Sequence, residues 1–195
     1  MPDDVLVRGL AAGEAAAVKE AWRRFSDQVF RHLRRAFGPA YDIDDLAQEV
    51  FVRLLGAVRK LQRAEALPAF VTAVTMRVVR RELTRRHRRR WLTFITTTDD
   101  HASLGVDFDA RDALKRVYHL LDKFDPESRT TFVLRHIEEM ELTEVAAAVE
   151  TSLATVKRRL ARIEERFGVL VERDPVLARY RVAGTFDGRA RGESR

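Results

Sequence analysis

The sequence predicts an all-α protein of two small helical domains joined by a flexible linker, with a helix-turn-helix ending the second domain. Apolar residues recur at helical spacing through most of the 195 residues, and no stretch alternates apolar and polar residues for long enough to form a strand. Residues 91–109 lack this period and contain threonines, aspartates and a glycine, which is typical of a linker. We therefore expect domains at 13–90 and 110–168, a loose lead-in at 1–12, and a partly disordered C-terminal extension at 169–195.

The composition favours an anionic partner. The formal net charge is +6 and the sequence pI is about 10.1, which suits a nucleic acid or a membrane surface. No uncharged run approaches the roughly 18 residues of a membrane span. The chain starts Met-Pro-Asp-Asp, whereas a secretory signal starts with basic residues, so we expect a cytoplasmic protein. The absence of cysteine excludes disulfides and thiolate metal sites.

The first domain is expected to open with helices at 13–37 and 43–61. Asp42 is a suitable N-cap for the second helix, where the positive end of the helix dipole also favours acidic residues. Beside its apolar stripe, this helix carries a polar, partly acidic face, which is formed by Asp45, Gln48 and Glu49. Such a face is either ordinary helix surface or a docking surface.

The segment 67–90 combines an apolar stripe and a basic stripe on one helix. Pro68 suits the first turn, because its missing N–H costs nothing there. The basic stripe consists of Arg77, Arg80, Arg81, Thr84, Arg85 and Arg88. Within the segment the one acidic residue is Glu82, so i±4 salt bridges cannot balance these guanidinium groups. The stripe is either a solvated basic face or, as the shortage of acidic partners favours, a surface whose counter-charge comes from nucleic-acid phosphates.

Two short helices joined by a tight turn end the second domain. The first, at 143–149, is expected to be capped by Thr143; the second, at 153–167, by Ser152, with Gly168 closing it. Small residues at the start of the second helix would let its backbone approach a DNA groove, and its Arg and Lys could reach phosphates or guanine edges. The candidate DNA-contacting residues are Ser152, Ala154, Thr155, Lys157, Arg158 and Arg162. The plainer alternative is an antiparallel helix pair.

Nothing in the sequence indicates an enzyme. It has no glycine-rich phosphate loop, and its five histidines form no metal-ligand spacing with carboxylates. No nucleophile lies in a recognisable setting. We therefore expect neither catalysis nor a cofactor.

The order of these elements resembles a two-domain sigma factor of bacterial RNA polymerase, in the extracytoplasmic-function group of the sigma-70 family. Residues 42–51, DIDDLAQEVF, are similar to the family segment D-x-E/D-D-L-x-Q-E-x-F. In the family this helix docks on the clamp helices of the β′ subunit. The resemblance implies that the polymerase contacts are Asp45, Gln48, Glu49 and Arg53.

Residues 67–86 resemble, more loosely, the family's promoter-melting helix, which reads the −10 element. The resemblance assigns the basic stripe to DNA at that element. The family commonly has an Asn near Arg77 and an Asp near Arg81, and this chain has arginine at both positions. Phosphate attraction is therefore kept or strengthened, whereas the family's rules for reading −10 bases do not transfer directly.

Residues 143–162 are similar to the family's helix-turn-helix for the −35 element, commonly E-I-A … S-x-x-T-V-K-S-R-L-x-R-A. Glu150 takes the place of the turn glycine. A residue other than glycine in a left-handed turn costs roughly 1 kcal/mol, so the turn is expected to differ slightly.

The resemblance implies a sigma factor that binds core RNA polymerase and promoter DNA and is controlled by a possible anti-sigma factor. A stand-alone helix-turn-helix regulator that does not bind polymerase is one alternative, and the face of Asp45, Gln48 and Glu49 argues against it because such a regulator does not need it. The other alternative is a basic helical module that binds an acidic protein or membrane surface.

Overall fold

The protein is all-α, as the sequence predicts. The computed structural model describes residues 1–39, 41–94 and 110–182, and this part of the chain contains helices and no strand. The helices are α1 (Asp3–Ala12), α2 (Ala15–Phe37), α3 (Asp44–Ala57), α4 (Leu67–Phe94), α5 (Ala110–Leu121), α6 (Pro126–Phe132), α7 (Leu142–Ala148), α8 (Leu153–Arg173) and α9 (Leu177–Val182). Two 3-10 turns lie at Val58–Lys60 and Ala64–Ala66, and α6 continues as a π-helical turn at Val133–Ile137. None of the described helices is long and apolar enough to cross a membrane.

Helices α1 to α4 form the first unit. Helix α2 packs on α1, α3 and α4, and α3 packs on α4. Their shared core contains Val29, Leu33, Val50, Leu54 and Val71, all fully buried. The predicted apolar stripes of the three long helices therefore meet in one core, and the polar face of α3 and the basic stripe of α4 remain at the surface.

The loose lead-in predicted at 1–12 is wrong, because these residues form α1. Leu6 and Leu10 are 0% and 2% exposed and pack against the core. The helix lies so close to α2 that a Cβ on Gly9 would be 2.7 Å from the Cβ of Ala17. One i, i+4 pair of leucines is too short a pattern to show a helical period in the sequence, but close packing on α2 stabilises the short helix.

Helices α5 to α9 form the second unit, in which α8 contacts α5, α6, α7 and α9. Helix α6 starts after the N-cap Asp125, whose carboxylate accepts a 2.9 Å hydrogen bond from the backbone N–H of Ser128. Val156 and Ile163 of α8 are buried in the core of this unit. Helix α8 therefore presents its opposite face to solvent.

Two predicted helix ends are wrong. Gly168 does not close the last long helix, which continues to Arg173 because Val171 is buried and extends the apolar stripe. Helix α4 continues to Phe94, four residues into the segment predicted as linker. The rest of that linker, 95–109, and the predicted disorder near the C-terminus, 183–195, lie outside the described residues.

The two units contact each other. Helix α4 packs against α6 and α7, and α2 packs against the π-helical turn. The surface of α4 that carries the basic stripe therefore lies next to the helix-turn-helix.

Candidate nucleic-acid and protein interfaces

The polar face of α3 is at the surface. Asp45, Gln48 and Arg53 are exposed, and Glu49 is half-buried. The Glu49 carboxylate accepts hydrogen bonds from Arg53 Nε at 2.7 Å and Arg81 Nη1 at 2.5 Å. Asp42 lies one position before the N-cap, which is Ile43, but its carboxylate still accepts a 3.2 Å hydrogen bond from the N–H of Asp44. The structure thus brings the four predicted polymerase-contacting residues together on one helix.

The basic stripe of α4 has acidic partners inside the chain. Arg77 Nε donates to the Glu150 carboxylate at 2.7 Å, and Arg80 Nη1 donates to the carbonyl oxygen of Val149 at 3.2 Å. Arg81 pairs with Glu49, as described above. The interpretation that the counter-charge comes wholly from outside is therefore wrong, because long-range folding supplies carboxylates that i±4 spacing does not show.

The remaining members of the stripe differ in their surroundings. The Arg85 guanidinium donates two hydrogen bonds to Glu82, at 2.7 and 2.9 Å. The Thr84 hydroxyl donates to the carbonyl oxygen of Arg80 at 2.8 Å, so it is used within the helix. Arg88 is exposed. The cations that face solvent most openly are therefore Arg81, Arg85 and Arg88.

Glu82 belongs to a buried network that sequence analysis did not identify. It is 5% exposed and accepts a 2.8 Å hydrogen bond from the hydroxyl of Tyr41. The Arg86 guanidinium lies over the Tyr41 ring, 4.7 Å from its centroid. Burial alone would raise the pKa of Glu82, but hydrogen bonds from Arg85 and Tyr41 and the charges of Arg85 and Arg86 lower it. Burial and the Glu82 contact raise the pKa of Tyr41.

The helix-turn-helix consists of α7, a turn and α8. The Ser152 hydroxyl accepts a 3.2 Å hydrogen bond from the N–H of Thr155, so the predicted cap of α8 is confirmed. The hydroxyl oxygens of Ser152 and Thr155 lie 2.9 Å apart, so both side chains form hydrogen bonds at the helix start. The exposed candidates within α8 are Ala154, Lys157, Arg158 and Arg162.

The start of α7 differs from the prediction that Thr143 caps it. Glu141 is the N-cap and forms a capping box with Glu144, whose carboxylate accepts a 2.9 Å hydrogen bond from the N–H of Glu141. The turn after α7 has the expected left-handed backbone, since Glu150 has φ 55°. This residue places its carboxylate against α4.

An all-α chain with a helix-turn-helix, an arginine-rich helix and an acidic helix face has the features of a DNA-binding protein that also binds a protein partner. Comparison with known families defines the class. Residues 21–90 match the family described as Sigma-70 region 2, and residues 114–167 match Sigma-70, region 4.

Individual relatives give the same result. The RNA polymerase sigma-E factor of Streptomyces avermitilis is 30% identical over 162 residues, which are 80% of this chain and 88% of that protein. The sigma-E factor of Streptomyces coelicolor is 29% identical, over 83% of this chain and 90% of the relative. The ECF RNA polymerase sigma factor SigE of Mycolicibacterium smegmatis is 28% identical, over 78% of this chain but 62% of the longer relative.

Among solved structures, CnrH in complex with the cytosolic domain of CnrY has a TM-score of 0.58 and covers 89% of this chain and 99% of its own. At 24% identity this likeness shows a shared fold. The chain belongs to the extracytoplasmic-function group of the sigma-70 family. It is a sigma factor, and its family membership favours neither the stand-alone regulator nor the general interaction module.

Proposed function

We propose that this chain binds core RNA polymerase through α3, places α4 at the −10 element and inserts the start of α8 at the −35 element to begin transcription. The observation that carries the proposal is that one chain has both a partly acidic surface on α3 and separate cationic surfaces on α4 and α8. A regulator that only binds DNA has no use for the first surface.

The polymerase contact is proposed for the exposed face of α3. Asp45 and Gln48 are free to meet a basic helix surface, and Glu49 lies between two arginines that hold its carboxylate in place. A partly acidic face of this kind suits the β′ clamp helices as partner, because complementary charge steers and orients association.

The contact with the −10 element is proposed for α4. Its exposed guanidinium groups lie along one side of a 28-residue helix, and arginine side chains are common partners of DNA phosphates. Arg77 and Arg81 occupy positions where the family commonly has Asn and Asp, so we propose that α4 relies on phosphate attraction more than on polar base contacts.

The contact with the −35 element is proposed for the first turns of α8. Ala154 leaves room for close approach, and Lys157, Arg158 and Arg162 extend from the same exposed side. Ser152 and Thr155 stabilise the helix start, whose free N–H groups favour a phosphate. Arginine in this position can form a bidentate contact with guanine.

A protein regulator is part of the proposal. The structural neighbour CnrH was solved with the cytosolic domain of CnrY, which is support by analogy for a protein partner of this chain, in the role of an anti-sigma factor. Since core polymerase and promoter DNA are its proposed partners, we propose that the chain works in the cytoplasm.

The deciding experiment is co-elution of the full chain with bacterial core RNA polymerase, comparing the parent with Glu49→Lys. The reversed charge should abolish co-elution while circular dichroism shows an unchanged helix content. Glu65→Lys is the matched control, because Glu65 is exposed in the 3-10 turn before α4 and outside the proposed face. If the parent binds duplex DNA but never co-elutes with core polymerase, the proposed polymerase contact is wrong.

A further inference from the structure

One guanidinium of the basic stripe is held along a whole edge by a single carboxylate of its own helix. Arg85 Nε donates to Oε2 of Glu82 at 2.7 Å, and Arg85 Nη2 donates to Oε1 at 2.9 Å. Two such bonds to one carboxylate set the orientation of the planar guanidinium as well as its position. Arg88, three residues further along the stripe, has no carboxylate partner among the described residues. Arg85 is therefore an oriented member of the stripe, and Arg88 is a free one.

The carboxylate that holds Arg85 is itself fixed. The side chain of Glu82 is 7% exposed, and its Oε1 also accepts a 2.8 Å hydrogen bond from the hydroxyl of Tyr41. The Tyr41 ring stacks on the ring of Phe37, with 4.9 Å between centroids and 26° between the ring planes. Phe37 ends α2, and Tyr41 lies between α2 and α3. Residues outside α4 therefore help to set where the Arg85 guanidinium lies.

The contact with Glu82 uses one edge of the guanidinium and leaves other donors available. It occupies the Nε–Nη2 edge. Glu82 uses neither N–H of Nη1, and Nη2 carries a second N–H besides the one that Glu82 accepts. The Arg85 side chain is 55% exposed whereas the carboxylate is buried, so the donors on the far side of the guanidinium face solvent. Arg85 thus presents an oriented group of hydrogen-bond donors at the surface of α4.

The charge of Glu82 determines which part of DNA these donors suit. A phosphate is bound mainly through its charge, and the carboxylate of Glu82 opposes that attraction at Arg85. A guanine edge is uncharged and presents two acceptors, O6 and N7, which a guanidinium meets with a pair of hydrogen bonds. A side chain that is already oriented also loses little conformational entropy on binding. Arg85 therefore suits a base, whereas the unpaired Arg88 suits a phosphate.

We propose that Arg85 reads one guanine of the −10 element, and that Glu82 and Tyr41 are positioning residues that hold its guanidinium for this contact. The inference rests on the proposed placement of α4 at that element. It makes Arg85 an exception on a helix whose other cations supply phosphate attraction. Sequence preference at one base pair then depends on a buried glutamate and on a tyrosine from another part of the chain.

The test selects DNA sequences with the polymerase complex. The full chain is assembled with core RNA polymerase and mixed with a duplex library randomised across the promoter region, and the bound DNA is sequenced. The parent should enrich guanine at one position of the −10 element. Arg85→Lys keeps the charge but lacks the planar fork of donors. It should lose about fivefold to a hundredfold of the preference at that position and keep the preferences at the others.

Two conservative variants test the positioning. Tyr41→Phe keeps the ring and removes the hydroxyl, and Glu82→Gln keeps the shape and removes the charge. Each should weaken the guanine preference by about twofold to tenfold, with the helix content of the parent by circular dichroism. Glu20→Gln is the matched control, because Glu20 accepts hydrogen bonds from Nε and Nη2 of Arg23 at the same i, i+3 spacing, on α2 and outside the stripe.

A modified base separates base reading from phosphate binding. Replacing the selected guanine with 7-deazaguanine removes the N7 acceptor and keeps the base pair. The replacement should weaken binding of the parent complex and leave binding of the Arg85→Lys complex unchanged. If Arg85 instead binds a phosphate, Glu82→Gln should strengthen binding to all DNA sequences alike, because it frees the guanidinium charge.

The outcomes judge each part of the inference separately. A guanine preference that Arg85→Lys leaves intact would overturn base reading by Arg85. A preference that both Glu82→Gln and Tyr41→Phe leave intact would overturn the positioning. If the parent does not co-elute with core polymerase, the proposed polymerase contact is wrong, and the same selection with the full chain alone then decides whether Arg85 reads guanine.

Discussion

The carboxylate of Glu49 lies 2.5 Å from the guanidinium Nη1 of Arg81, and this ion pair joins the polar face of α3 to the basic stripe of α4. The two surfaces are proposed to bind different partners, core polymerase and promoter DNA. Because one carboxylate and one guanidinium neutralise each other across them, a partner that engages one group releases the other. The pair therefore couples the two proposed contacts.

Replacing Arg81 with alanine should affect the two partners in opposite directions. DNA binding should weaken because a cation is lost. Core polymerase should bind up to about fivefold more tightly, because Glu49 loses one of its two arginine partners, an exposed pair of modest strength, and keeps Arg53. Anisotropy titrations with labelled chain measure both. The matched control is Arg88→Ala, which removes an exposed cation of the same stripe without touching Glu49. Weaker polymerase binding by Arg81→Ala would contradict the coupling.

Arg80→Ala should weaken the binding of the polymerase complex to every DNA sequence alike. A lost phosphate contact reduces the steepness of log K against log salt concentration by the amount that corresponds to about one contact. Measurements between about 50 and 200 mM salt give the slope. Arg63→Ala is the control, since Arg63 is an exposed arginine outside the stripe. A slope equal to that of the parent would eliminate the phosphate role of Arg80.

Local features of this fold were predictable from the sequence. The caps at Ser152 and Asp125 follow from side chains that reach N–H groups three residues away, and both are present. The left-handed turn at Glu150 was implied by the family resemblance, in which a glycine takes this position. Such features depend on neighbours in the chain, which the sequence displays directly.

The features that the sequence did not reveal depend on tertiary contacts. Arg77 finds its carboxylate 73 positions away, at Glu150, and Arg81 finds Glu49 32 positions away. Helix spacing identifies partners at i±4 and gives no information about these two distant pairs. The capping box of Glu141 and Glu144 is a local feature, but it departs from the usual Ser/Thr-x-x-Glu signature, so the sequence pattern favours Thr143 as the cap.

Helix α1 should contribute substantially to the stability of the first unit. Leu6 is fully buried against the core, so Leu6→Ala should destabilise the protein by about 2–5 kcal/mol through lost burial and the cavity left behind. Val5→Ala on the same helix is the matched control, because Val5 is 40% exposed. Thermal unfolding, monitored by circular dichroism, gives the melting temperatures of the two variants. Equal melting temperatures would show that α1 does not depend on this packing.

Glu82 should make the first unit sensitive to acid. Its pKa in the folded chain is below the ordinary value of 4.5, because Arg85, Tyr41 and Arg86 face the carboxylate and outweigh the effect of burial. A carboxyl group whose pKa falls on folding stabilises the protein above about pH 4.5, and this contribution is lost as the pH falls through the folded-state value. The free energy of unfolding, measured with denaturant at pH 7 and pH 3.5, should therefore differ less between the two pH values for Glu82→Gln than for the parent. An identical pH dependence in the two proteins would contradict this role.

Arg158 and Arg159 are adjacent arginines with opposite expected roles. Arg158 is exposed on the proposed DNA-binding side of α8, whereas Arg159 is half-buried and pairs with Glu127 at the start of α6. Arg158→Ala should cost about 1–3 kcal/mol of discrimination at one base pair of the −35 element, because a bidentate guanine contact would be lost. Arg159→Ala should lower stability and leave the sequence preference unchanged. Competition binding of the polymerase complex to promoters substituted at each −35 position measures both effects. If Arg158→Ala weakens binding to all of these promoters equally, Arg158 contacts the phosphate backbone and does not read a base.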